Sequence, residues 1–124
     1  MRRILVGLAV VNVIAFSGMA MAGEKLTKDE VTSLITDTTY AAKNPMRGTV
    51  TNGTILADGS LSATSSDGTF ETGTWKVTEE GEYCTNWSGR WKSGCGPFEK
   101  TDDPNVFSRS LNNSSPALFN FNKR

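Results

Sequence analysis

The chain has 124 residues, balances 13 basic against 13 acidic side chains, and contains no histidine. Without histidine, the commonest general base and the commonest metal ligand are missing, and no Ser-His or Cys-His nucleophile can be assembled. A neutral chain also offers no electrostatic case for nucleic acid.

Residues 1–22 read as a secretory signal peptide, which leaves 23–124 as a single secreted domain. Arg2 and Arg3 supply a basic start, an apolar run from Ile4 to Phe16 follows, and Ala20-Met21-Ala22 is a small-x-small cleavage site. The run falls short of the roughly 20 apolar residues that span a bilayer. This places the protein in the periplasm or outside the cell by the general secretory route, with no membrane span after cleavage. Loss of the two arginines tips the mature charge to the acidic side.

Thr27 followed by Glu30 is a capping box, flanked by Leu26 and Val31 as a hydrophobic staple. Val31, Leu34 and Ile35 then share one apolar face, so a short helix is expected that needs a sheet to pack on. Thr38-Thr39-Tyr40 favours a strand, and Asn44-Pro45 ends it. Beyond this point turn signals recur at Asn52-Gly53, Asp58-Gly59, Asp67-Gly68, Glu80-Gly81, Gly89-Arg90 and Asp103-Pro104-Asn105. Turns at roughly 8–12-residue spacing predict an all-β chain. The fold class is mainly β: an antiparallel meander of about six to eight short strands, forming a small barrel or curled sheet with one N-terminal helix.

Two-residue turns fix an expected register. Asp58-Gly59 sets Leu56 opposite Leu61; Asp67-Gly68 sets Phe70 opposite Ser65 and Thr72 opposite Ala63. Leu56, Leu61, Ala63 and Phe70 then share a face, and a bulge at Gly73 brings Trp75 and Val77 onto it. Asn52-Gly53 reads either as a turn or as a bulge within one longer strand. A turn centred on Gly89-Arg90 sets Ser88 opposite Trp91 and Cys84 opposite Cys95, within disulfide range. The disulfide closes a short loop and contributes about 3 kcal/mol. Tyr83 and Trp87 fall on one face of this hairpin; Cys84, Cys95 and Trp91 fall on the other. Residues 97–101 and 106–111 make a further hairpin, Asn112 to Pro116 a loop, and Ala117, Phe119 and Phe121 alternate along a last strand that could close the sheet.

Asp58-Gly59-Ser60, Gly73-Thr74-Trp75, Cys84, Trp87 and Cys95, preceded by a short helix, resemble the pattern of the domain-of-unknown-function family nine-nine-five, small secreted bacterial proteins. That resemblance implies export and a compact β domain, and no activity. Gly73-Thr74-Trp75 is also similar to the Gly-x-Trp of lipocalin- and avidin-like barrels, where it lies on the first strand rather than mid-chain.

No catalytic or metal-binding residues and no cofactor are expected. The carboxylates Asp58, Asp67, Glu79, Glu80 and Glu82 read as turn residues, and Asp102-Asp103 as a turn rather than a calcium site. The aromatics are the better lead. Trp75, Tyr83, Trp87, Arg90 and Trp91 are the expected binding residues, since Trp, Tyr and Arg dominate hot spots. The chain is expected to be a non-enzymatic binding module for a small apolar ligand, with a mouth lined by Trp75, Trp87 and Phe119. The alternative is an interaction or inhibitor module that meets an envelope protein through an exposed aromatic hairpin near Gly89-Arg90-Trp91.

Overall fold

A computed structural model describes residues 22–111 and 115–124. The expected signal peptide, up to residue 21, and the core of the 112–116 loop lie outside the described residues. The fold is one helix, α1 (Lys28–Ile35), followed by eight strands: β1 (Thr38–Lys43), β2 (Val50–Ile55), β3 (Ser60–Ser65), β4 (Phe70–Val77), β5 (Glu82–Trp87), β6 (Gly94–Lys100), β7 (Phe107–Arg109) and β8 (Ala117–Lys123). Every strand pairs antiparallel with its sequence neighbours, and β8 pairs with β1 to close the barrel. Closure removes both sheet edges, the aggregation liability of an open meander.

Three hairpins share one turn, and it is not the two-residue turn expected from the sequence. In β2–β3, Leu56 N donates to Ser60 O and Gly59 N to Leu56 O; Ser65–Thr69 and Thr78–Glu82 repeat the pattern in the next two hairpins. These are three-residue loops, a type I turn closed by a left-handed residue. Gly59, Gly68 and Gly81 take φ of 95°, 92° and 88°, while Asp58, Asp67 and Glu80 do not enter positive φ. A Cβ makes that region costly, so one glycine per turn serves where a type I′ turn needs two such positions. The two aspartates cap the turn instead: Asp58 Oδ1 accepts from Ser60 N and Asp67 Oδ1 from Thr69 N, each at 2.9 Å.

The extra loop residue slips the register by one and moves side chains between faces. Ile55, not Leu56, pairs with Leu61; Phe70 pairs with Thr64, and Glu71 with Ala63. Phe70 is therefore outside, 61% exposed, and Glu71 is inside. Glu71, Gly73, Trp75 and Val77 now follow one phase, so no bulge at Gly73 is needed; the β4 ladder runs through it unbroken. Asn52-Gly53 is neither turn nor bulge. It lies within β2, where Gly53 pairs with Tyr40 and a Cβ would overlap the Tyr40 ring.

The barrel interior is aromatic. Phe98 is fully buried, stacked on Tyr83 at 5.5 Å and edge-on to Phe119 at 5.1 Å and Phe121 at 5.5 Å. Tyr40 joins the cluster against Phe119 at 5.4 Å.

One end of the barrel is closed by α1. The capping box forms as the sequence indicates, with Thr27 N donating to Glu30 Oε1 and Glu30 N to Thr27 Oγ1. Val31 and Ile35 point into the barrel with no exposed surface, and Leu26 is nearly buried beside them. The opposite end is ringed by the β1–β2 turn, the 88–93 loop and the start of β8, and no helix among the described residues covers it.

Candidate functional site

The site is the interior of that uncovered end. Alternation along β5 directs Tyr83, Thr85 and Trp87 inward, with Tyr83 2% and Thr85 7% exposed. Behind them, Cys84 and Cys95 pair directly on the outer side of the β5–β6 hairpin and form the disulfide, with Cα atoms 4.0 Å apart. The pairing expected for the cysteines is thus observed, but the tight Gly89-Arg90 turn is not. Ladder pairing stops at Thr85–Gly94, and residues 88–93 form a wider loop.

That loop is tied down from inside the barrel. The Glu71 carboxylate, 7% exposed, accepts from Gly89 N at 3.1 Å and from Trp91 N at 3.0 Å. Trp87 N donates to Ser93 Oγ at 2.7 Å. The result corrects the expected facing of Trp91. Its ring folds back over the mouth and meets Trp87 edge-on, with centroids 4.9 Å apart and planes at 79°.

Between these rings and the opposite wall lies a cavity of about 200 Å³. Trp87, Trp91, Phe119 and Ala117 give it an apolar side, and Tyr40 and Tyr83 form its floor. Asn44, Thr49, Thr51 and Thr85 give it a polar side, which Arg109 completes.

Arg109 comes from the three-residue β7, in phase with Phe107. Its Nη2 donates to Tyr83 O at 2.8 Å and Gly94 O at 3.2 Å, and its guanidinium carbon sits 4.7 Å from the centre of the Tyr83 ring. These contacts fix the side chain, yet Arg109 Nε and Thr85 Oγ1 are buried without a hydrogen-bond partner among the described residues. Burial lowers the Arg109 pKa, opposed by Tyr83, Tyr40 and Glu82, and the group stays charged. Burial likewise raises the Tyr40 pKa to about 12 and pushes Tyr83 higher still.

Of the five binding residues expected from the sequence, Tyr83, Trp87 and Trp91 come together here; Phe119 joins them as expected. Trp75 does not. It lies toward the helix-closed end, where its Nε1 donates to Leu56 O at 2.8 Å. Arg90 is exposed and lines no part of this cavity. The cation that stacks on an aromatic ring is Arg109, which the sequence reading passed over. Trp87 and Trp91, which the alternative reading places on an exposed aromatic hairpin, are partly buried and line the cavity.

No protein-family model matches the chain, and no curated protein matches it. The resemblance to family nine-nine-five therefore gives no family assignment, and the site rests on its own geometry.

Proposed function

We propose that this protein is a non-catalytic binding module that holds a small molecule in the uncovered end of its barrel. The supporting observation is the cavity of about 200 Å³ walled by the Trp87–Trp91 edge pair and Phe119. Apolar cavities of about 150 Å³ hold a benzene-sized guest, and barrel mouths are a common place for ligand sites. The floor is rigid, since Tyr83 packs on the fully buried Phe98. Preorganisation of this kind lowers the entropy cost of binding. The disulfide fits an oxidising compartment, in keeping with an exported protein.

The test is a titration of the purified, oxidised chain with small aromatic compounds, followed by amide and indole NMR shifts. Shifts confined to Tyr83, Trp87, Trp91 and Phe119 are expected, and Trp75 should stay still. Shifts spread evenly over the surface, or none at all, would remove the reading.

A further inference from the structure

The cavity is lined by a part-buried cation, Arg109, that has no ion-pair partner among the described residues, although the charge of Glu82 acts on it without such a contact. Among the described residues the ion pairs are Lys28–Glu79, Lys100–Glu24 and Arg124–Asp37, none of which reaches Arg109. The buried carboxylate of the interior, Glu71, is occupied by two backbone N–H groups and is not part of the cavity wall. Among the described residues no carboxylate lines the cavity, and none lines the adjoining cleft, where Arg47 and Lys92 share the mouth with Arg109. Taking a charge out of water costs several kcal/mol unless it is paired, and a buried donor left without an acceptor adds to that cost. Arg109 Nε and Thr85 Oγ1, on two residues that line the cavity, both lack an acceptor or donor partner among the described residues.

We infer that the ligand is a small monoanion, a carboxylate carried on an aromatic or short apolar body, with its carboxylate toward the Arg109 guanidinium and the Thr85 side chain and its body between Trp87, Trp91 and Phe119. This rests on the reading of the uncovered end as a ligand cavity. A carboxylate suits the site on three counts. It accepts a charge-assisted bond from a guanidinium and still has lone pairs for a hydroxyl. Its single charge matches the one part-buried guanidinium that lines the cavity. Arg47 and Lys92, both exposed at the rim, raise the local concentration of anions without being buried themselves.

The experiment compares benzoate, benzyl alcohol, benzylammonium and phenyl phosphate against the oxidised chain at neutral pH by calorimetry and NMR. Benzoate should bind about tenfold more tightly than benzyl alcohol, a difference of about 1.4 kcal/mol, and benzylammonium should not bind. Arg109→Gln should erase the preference for benzoate while benzyl alcohol still binds. In case that variant does not fold, Arg47→Gln with Lys92→Gln should weaken benzoate roughly two- to threefold and flatten its salt dependence. Equal affinity for benzoate and benzyl alcohol in the native chain would overturn the anion inference and leave the cavity reading standing. Phenyl phosphate binding more tightly than benzoate would overturn the single-charge argument. If none of the compounds binds, the cavity reading falls and takes this inference with it.

Discussion

The two ends of the barrel are built to opposite rules. At the closed end α1 inserts Val31 and Ile35, both without exposed surface, and the backbone of Leu26 bonds to Phe98 O at 3.0 Å. At the uncovered end the wall carries a guanidinium, threonines and an asparagine, and two of the buried polar atoms have no partner among the described residues. Buried polar groups are nearly always satisfied in folded proteins. Apolar closure is what stability alone would select, and the sequence supplies it once. Its absence among the described residues at the other end, with unpaired polar atoms in its place, gives the two ends different chemistry.

The comparison breaks most visibly at α1. Ile35→Ala should lower stability by about 2–5 kcal/mol, because a buried side chain is removed from a site that cannot collapse around the gap. Denaturant unfolding measures this, and ligand shifts at Trp87 and Trp91 should persist in the folded fraction. A loss below about 1 kcal/mol would mean that the helix is not a structural plug. Next comes the disulfide. Cys84→Ser with Cys95→Ser should cost about 3 kcal/mol. The 88–93 loop follows directly from this hairpin, so its amides should lose hydrogen-exchange protection before those of α1 do.

Alkali probes the shared floor. Burial is the main cause that holds Tyr40 at about 12 and Tyr83 above it, with Arg109 acting in the opposite direction on both. The unfolded chain ionises its tyrosines near pH 10, so the folded state retains these protons to higher pH than the unfolded state does. Stability from Tyr40 is therefore complete below about pH 10 and is lost as pH rises toward about 12, by roughly 3 kcal/mol in all. Tyrosinate absorbance should rise together with the loss of near-ultraviolet circular dichroism. Ionisation of both residues near pH 10 in an intact fold would contradict their burial.

The sequence was legible where local chemistry decides the outcome. The capping box of Thr27 and Glu30, the turns at Asp58-Gly59, Asp67-Gly68 and Glu80-Gly81, the Cys84–Cys95 pairing and the closing strand of Ala117, Phe119 and Phe121 all follow from near neighbours. It misled where one residue of loop length decides a face. Asp-Gly suits a two-residue turn and a three-residue one alike, and the choice moved Phe70 out and Glu71 in. Keeping Phe70 inside forced a bulge at Gly73; dropping it lets Glu71 read in phase with Trp75 and Val77. Arg109 was also within reach. It alternates with Phe107 along a short apolar stretch, so a core-facing cation could have been read there. Trp91 was not: its orientation depends on Glu71, twenty residues away, which no local pattern encodes.

The smallest expected effect gives the finest division between the two ends. Thr85 is 7% exposed, and its Oγ1 lacks a partner among the described residues. Valine has nearly the same shape. At a bonded hydroxyl, Thr85→Val would cost about 1–3 kcal/mol; at an unpaired one it removes a desolvation penalty and leaves stability unchanged or raises it by less than about 1 kcal/mol. Thermal unfolding of the variant distinguishes these. The same substitution should weaken benzoate while leaving benzyl alcohol nearly untouched, because only the anion needs the hydroxyl as a donor. A variant that is both more stable and poorer at holding the anion would show the hydroxyl kept at a cost to the fold. A destabilised variant would show instead that Thr85 is already bonded inside the protein and belongs with the closed end's rules.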